Sequence, residues 1–472
     1  MSITSMTFLF MFLPIALLLY YFFDSKVKEA VLLIISLFFY AIGSIEYIAI
    51  FSCAVFITVF LGRMIDGCRE KSVVRKILFV CGIVLNVSLL VYYKYTDFFR
   101  GSLAFITSKE VQFKNIALPL GISFFTFKSI SYLTDVYKRQ TSLTDNPLHD
   151  ALYLSFFAQI QSGPLSRHAD ISIQNKKKFD FELFSGGAYR FIVGFSKKIV
   201  IANVLSNITT EVFNTSFDAF STSFAWLGSV CYSLQLFFDF SGYSDMAIGI
   251  TEMFGYKCPE NFNYPYTTES VSKFWRKWHI TLGQWFRDYI YIPLGGSHNK
   301  NRWRVYFNLF VVWLLTGIWH GASWNFVAWG LGYFIVISFE RLLDLPGRLR
   351  TKAGKILYRI GTLLFINFQW VLFNSKNIIS GLQFIKRMII LYRNELTDRR
   401  TLLLLKDYGF FILVAVILSM PVIPWINDRL KDNGTYHRIF EVMTTVISLA
   451  AFIWAISFVV AGQNNPFVYA NF

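Results

Sequence analysis

The chain has 472 residues, 55% of them apolar, 19% aromatic and only 16% charged, a balance that excludes an ordinary soluble enzyme and suits a membrane-embedded one. The formal charge of +16 does not point to nucleic acid, because no soluble domain is left over to form a groove and cations of membrane proteins collect in cytoplasmic loops. The cysteines Cys53, Cys68, Cys81, Cys231 and Cys258 show no CxxC pair and no metal-ligand spacing, so they read as core residues and imply no metal site.

The first apolar run, Met6–Phe23, has no basic residue before it and no small-residue cleavage site after it, and reads as a retained first span. Further spans are expected over Ala30–Ala41, Tyr47–Leu61, Ile77–Tyr93, Phe224–Phe240, Val305–Ile318, Ser323–Phe339, Ile356–Phe373, Phe410–Trp425 and Val442–Val460. Shorter or broken ones lie around Leu118–Tyr132, Ala151–Ile160 and Ala188–Val204. Since a crossing takes about 20 apolar residues, these runs give about eleven to thirteen transmembrane or re-entrant helices. The fold class is therefore all-α and polytopic. No repeat, linker or low-complexity tail divides the chain, so one membrane domain over 1–472 is the simplest organisation.

Orientation follows from the loops. The N-terminus carries no Lys or Arg, Lys26 and Lys28 follow the first span, and Arg63, Arg69, Lys71, Arg75 and Lys76 follow the third. This places the N-terminus outside and those loops in the cytoplasm. Lys176–Lys178 with Lys197 and Lys198, Lys273 to Arg304, and Arg341 to Arg359 are basic enough to favour the same face.

No G-x-S-x-G elbow, Walker A loop, G-x-G-x-x-G or H-E-x-x-H occurs, so chemistry has to be sought in the membrane segments. Of six histidines, His279 and His320 sit in aromatic-rich surroundings, where burying a ring that titrates near pH 6.5 is costly. Taken as a helix, the stretch from Val271 to Tyr289 puts Phe274, Trp278, Leu282, Trp285 and Tyr289 on one face and Lys273, Lys277, Gln284 and Asp288 on another. Such a helix lies along an interface and ends at Pro293, Gly295 and Gly296. Its cations, Lys273, Arg276, Lys277 and Arg287, are candidates to dock a phosphorylated or CoA-type donor; Trp275 and Trp278 border His279 as candidate tunnel lining. The bland alternative is an amphipathic anchor.

In the second stretch helical geometry gives Trp313, Thr316, Gly317, His320 and Trp324 one face, with His320 leaning over Gly317. A glycine there would leave a hole beside a neutral imidazole, where a hydroxyl could be deprotonated and aimed at an acyl carbon. Trp319 and Asn325 flank that place. A structural histidine bonded to a helix carbonyl is the alternative. Between Gln235 and Asp245, an apolar helix is interrupted by Asp239 and Asp245; these need a cavity or a cationic partner, with Tyr243 beside them.

These residues resemble the membrane-bound O-acyltransferases, and within that family the alginate O-acetyltransferase branch. The matching pieces are Leu118-Pro-Leu-Gly-Ile-Ser-Phe-Phe-Thr-Phe, Gln161-Ser-Gly-Pro, Phe238-Asp-Phe-Ser-Gly-Tyr-Ser-Asp, Phe274-Trp-Arg-Lys-Trp-His, Phe286-Arg-Asp-Tyr-Ile-Tyr-Ile-Pro-Leu-Gly-Gly, Gly317-Ile-Trp-His-Gly-Ala and the closing Asn465-Pro-Phe-Val-Tyr. The motif-bearing core is then about 117–340. The resemblance implies a multi-helix fold around a central tunnel in a bacterial plasma membrane. It also implies that His320 is the catalytic histidine and His279 the second active-site histidine, with no bound cofactor and acetyl-CoA as donor substrate. Its expected partners are a surface polysaccharide, membrane lipids and an extracytoplasmic SGNH-type acetyltransferase. D-alanyl transfer to teichoic acid is the alternative inside the family. A transporter or flippase, or a membrane scaffold, is the alternative outside it.

Overall fold

Apolar segments in lipid must satisfy their own backbone groups, which leaves them the helix, and every regular element among the described residues of the computed structural model is helical. The described residues are 1–24, 27–70, 72–107, 117–143, 145–172, 179–297, 301–345, 347–389 and 395–462. Lys26, Lys71, Lys176–Lys178 and the motif Asn465–Tyr469 lie outside them. Among the described residues, six helical stretches are long and apolar enough to cross a membrane: Lys28–Gly67, Val73–Leu103, Phe181–Asn214, Lys352–Asn374, Arg399–Leu418 and Gly434–Val460. The protein is a multi-pass, all-α membrane protein.

The chain forms two compact units, Met1–Phe191 with Met246–Glu260, and Ile192–Asp245 with the chain from Asn261 onward. In the first, helix Ile122–Tyr137 is almost wholly buried and packs against Ile48–Gly67 and Val73–Leu90. Its polar groups are tied together rather than hydrated. The buried Asp150 carboxylate accepts from Arg63 Nε at 2.9 Å and Tyr132 Oη at 3.2 Å, and pairs with His168 Nε2 at 2.8 Å. Arg63 therefore stands within helix Ile48–Gly67 as a structural partner, not in a solvated loop. Buried Arg75 is likewise spoken for, donating to the Val136 and Tyr137 carbonyls at 3.2 and 2.8 Å.

In the second unit the helix after Phe181 runs through Lys197 and Lys198 by way of a π-helical turn, Lys197–Ala202, into Asn203–Asn214. Those two lysines are thus not in a loop. Lys198 pairs with Asp239, both buried, and Lys197 with Asp245 at 2.7 Å. A Cβ on Gly242 would lie 2.7 Å from the Gly194 carbonyl oxygen. This glycine lets the two helices approach closely enough for the pairs to form. With their charges matched, Asp239 and Asp245 do not interrupt the helix, which runs unbroken over Thr222–Met253. Near the C-terminus the expected span Phe410–Trp425 is replaced by a helix that starts earlier, at Arg399, where Asp398 accepts from the Thr401 N–H at 2.7 Å as its N-cap. It ends at Leu418, three residues before Pro421.

Candidate active site

The stretch Val271–Tyr289 is not one interfacial helix. A short helix, Val271–Trp275, and a second, Ile280–Phe286, are separated by His279 in the left-handed conformation at φ 43°, ψ 53°. A non-glycine residue pays roughly 1–2 kcal/mol for that geometry and holds it only where its surroundings insist. Here the loop at Asn261 insists. The Asn261 carbonyl accepts from the Ile280 N–H at 2.9 Å, and the Asn263 N–H donates to the Lys277 carbonyl at 3.0 Å. Consequently Trp278, Leu282 and Trp285 are buried rather than lying at a headgroup layer.

Asn261 also fixes the histidine ring. Its Oδ1 accepts from the Thr281 N–H at 3.3 Å and Thr281 Oγ1 at 2.9 Å, and its Nδ2 donates to Ser244 Oγ at 3.2 Å. The obligatory backbone donor assigns the amide orientation, so His279 Nδ1, 3.2 Å from the same oxygen, carries the proton. The basic lone pair then belongs to Nε2, a buried atom with no hydrogen-bond partner among the described residues. His279 lies outside the six apolar spans; burial pushes its pKa down to about 3, which keeps the ring neutral.

The first short helix is held at its start by a carboxylate. Buried Glu340 accepts from the Val271 N–H at 2.7 Å, the Ser272 N–H at 2.8 Å, Ser272 Oγ at 2.5 Å and Tyr358 Oη at 2.7 Å. An anion at a helix N-terminus is favourable, and this one orients the segment that ends in His279. Neither Asn261 nor Glu340 was singled out by sequence. Glu340 had a signal, an acid directly after the apolar run ending at Phe339; Asn261 had none.

His320 is the last residue of helix Arg302–His320. It is buried, and its ring meets Trp319 at 4.6 Å, Trp329 at 4.8 Å and Phe373 at 5.1 Å between centroids. Trp319 reaches on to His279 at 6.2 Å. Trp275 meets Trp329 at 5.6 Å, and Trp278 meets Trp370 at 5.0 Å, which meets Phe373 at 5.6 Å. The two histidines therefore belong to one aromatic enclosure, together with Trp275, Trp278 and Trp319. Aromatic faces at these separations add packing energy, and the buried indole N–H groups of Trp275, Trp329 and Trp370 stand with the imidazoles as polar atoms of the enclosure.

Other candidates take different places. Gly317 does not leave a hole beside His320: a Cβ there would lie 2.5 Å from the Phe326 carbonyl oxygen, so the space is filled by the backbone of helix Trp324–Leu342. The glycine serves close helix packing. Trp324 is 60% exposed and begins that next helix, so it leaves the face of Trp313, Thr316 and His320. Asn325 Nδ2 donates to the Ser375 carbonyl at 2.9 Å, capping the end of helix Lys352–Asn374. Asp239 is matched by Lys198, and Tyr243 is buried one turn further along the same helix. Arg276 is exposed; Lys273 pairs with Glu269 at 2.7 Å and Arg287 with Asp288 at 2.7 Å, while Lys277 is half-buried. Part of the loop Ser297–Asn301 lies outside the described residues.

Residues 137–382 match the membrane-bound O-acyltransferase family. A protein of Azotobacter vinelandii named as an alginate O-acetylase is 39% identical over 80% of this chain and 76% of its own length. A Helicobacter pylori peptidoglycan O-acetyltransferase is 36% identical over 81% of this chain and 78% of its own. The teichoic acid D-alanyltransferase of Bacillus subtilis is 29% identical over 56% of this chain and 70% of its own.

Proposed function

Since the chain belongs to the membrane-bound O-acyltransferase family, we propose that His320 is the acyl-transfer centre of this enzyme and His279 its partner, with acetyl-CoA as donor. One observation carries the reading: a buried imidazole closing a helix, ringed by Trp319, Trp329 and Phe373, with a second neutral imidazole across Trp319. A dry enclosure suits transfer because it keeps water from the thioester and strengthens every polar interaction inside. A general base near the hydroxyl being acylated is worth roughly 10²–10⁴-fold in rate. His279, kept neutral by burial and with its Nε2 lone pair turned inward by the Asn261 contact at Nδ1, can relay a proton, while the rings around His320 favour a small acyl group. Exposed Arg276 and the half-buried Lys277 supply cations for the nucleotide phosphates of the donor.

The acetyl group is destined for a surface polysaccharide, alginate-like or another exopolymer, and a separate extracytoplasmic SGNH-type transferase completes delivery. The relatives named for alginate and peptidoglycan O-acetylation favour acetyl over D-alanyl as cargo, since they align over more of this chain than the D-alanyltransferase does. The test is thiol release from acetyl-CoA by purified protein in nanodiscs supplied with a hydroxyl-bearing acceptor to take the acyl group, alongside D-alanyl carrier-protein thioester. The reading expects release from acetyl-CoA alone; release only from the D-alanyl thioester would overturn the acetyl assignment.

A further inference from the structure

The polar cluster of the first unit has no part in the chemistry assigned to His279 and His320, yet it contains three side chains hydrogen-bonded in a row. His168 is fully buried, and its Nε2 lies 2.8 Å from Asp150 Oδ1. A carboxylate only accepts, so Nε2 bears the proton and Nδ1 the lone pair. Nδ1 faces Thr141 Oγ1 at 3.0 Å, and the hydroxyl therefore donates to it. Asp150, also fully buried, is fixed through its other oxygen by Arg63 Nε at 2.9 Å and Tyr132 Oη at 3.2 Å. The rings of Tyr132, His149 and Tyr153 pack around the imidazole, with centroids at 5.4, 5.4 and 5.3 Å. Of the three residues in the row, only Thr141 is partly exposed.

Local structure delivers the hydroxyl to the ring. Helix Ile122–Tyr137 ends in a turn in which the Gln140 N–H donates to the Asp135 carbonyl at 2.8 Å and Arg139 is left-handed at φ 54°; the chain leaves that turn as Thr141. Its neighbours give the site a side of the membrane. Arg139 pairs at 3.1 Å with Glu70, in the loop between the spans Lys28–Gly67 and Val73–Leu103, which also carries Arg69 and Lys71. His149 pairs at 3.0 Å with Glu29, at the end of the first of these spans that follows Lys26 and Lys28. No Lys or Arg occurs between Lys28 and Arg63. By the positive-inside rule both of these ends are cytoplasmic, and Thr141 lies beside them. Exposed Arg69 and Lys138 add positive charge at this face.

We propose that Thr141 is a self-acylation site that takes an acyl group from a cytoplasmic thioester, with His168 as its base and Asp150 orienting that base. Thr141 Oγ1 attacks the thioester carbonyl carbon while its proton passes to His168 Nδ1. The C–S bond then breaks, the sulfur leaves with that proton as a thiol, and the threonine keeps the acyl group as an ester. A hydroxyl, a bare imidazole nitrogen and a carboxylate hydrogen-bonded in series are the parts this step needs. Burial of the base also protects the product, because water has to come alongside Nδ1 to hydrolyse the ester. The inference rests on the acetyl-CoA reading only for the identity of the thioester.

The experiment incubates full-length protein in nanodiscs with acetyl-CoA or, separately, with p-nitrophenyl acetate. The peptide carrying Thr141 is then read by mass spectrometry before and after neutral hydroxylamine, which strips esters and spares acetyl-lysine. Parent, Thr141→Val, Thr141→Ser and His168→Gln are compared at matched melting temperature. The proposal expects an acetyl ester at position 141 in the parent and in Thr141→Ser, none in Thr141→Val, and labelling about a hundredfold slower in His168→Gln. No ester at this position from either donor would overturn it. Equal labelling of the parent and His168→Gln would overturn it too, reducing the row to a structural contact. An ester from p-nitrophenyl acetate but not from acetyl-CoA would sink the donor assignment and leave the activated hydroxyl standing.

Discussion

Helices Gly434–Val460 and Arg302–His320 are both long and rich in apolar residues, yet they occupy opposite environments. In the first only Ala455 is buried, and Val442, Val446, Ile447 and Ile453 turn outward. The second buries a stripe of Val305, Asn308, Trp313, Thr316 and Gly317 that leads to His320. In lipid, hydrophobicity does not drive helices together, so an outward apolar face carries no cost and an inward one is built from small, aromatic and hydrogen-bonding residues. Polar and small residues, rather than the apolar background, therefore mark the buried faces of this protein, among them the one that leads to the proposed acyl-transfer centre.

Substitutions should follow that contrast. The largest effect is expected at the buried ion pair: Lys198→Met strands the Asp239 carboxylate and should destabilise the fold by about 3–5 kcal/mol, read as a lowered unfolding midpoint in nanodiscs. Adding Asp239→Leu should recover much of the loss, and failure to do so would show that packing, not charge, dominates there. Glu340→Gln keeps the shape but replaces one acceptor oxygen by a donor facing the N-terminus of helix Val271–Trp275. A loss of about 2–3 kcal/mol is expected, with transfer activity falling further than the fold does because His279 shifts. Equal losses in both would reduce Glu340 to a purely structural role.

Asn261→Asp is a subtler probe. The parent holds His279 neutral by burial, its pKa pushed down to about 3, so this ring should give the rate no acid limb between pH 5 and 8. A carboxylate at Nδ1 stabilises the imidazolium and raises that pKa. Activity needing a bare Nε2 should then fall as pH drops, within a range where the parent is flat; unchanged profiles would contradict the role given to Asn261. Least of all, Ile447→Ala on the outward face should change stability by under about 0.5 kcal/mol.

The resemblance read from the motifs led to the right family, and the apolar runs located most long helices to within a few residues. The aromatic surroundings of His279 and His320 were legible because the motifs set each histidine beside tryptophans in the chain. What sequence could not supply was backbone geometry. Nothing in Phe274-Trp-Arg-Lys-Trp-His announces a left-handed residue, since the turn is imposed by Asn261, 18 residues away. Lys197 and Lys198 looked topological because their acids lie over 40 residues on. Gly317 looked like space beside a ring because helical spacing says nothing about the neighbouring helix that fills it.

Label transfer from radiolabelled acetyl-CoA by the parent, His320→Ala and His279→Ala, each shown to be equally folded, addresses the central claim directly. Transfer by the parent that drops about a thousandfold or more in His320→Ala, equivalent to roughly 3–5 kcal/mol of barrier, is the expected result. Undiminished transfer by well-folded His320→Ala would contradict it and move the acyl-transfer centre elsewhere in the enclosure.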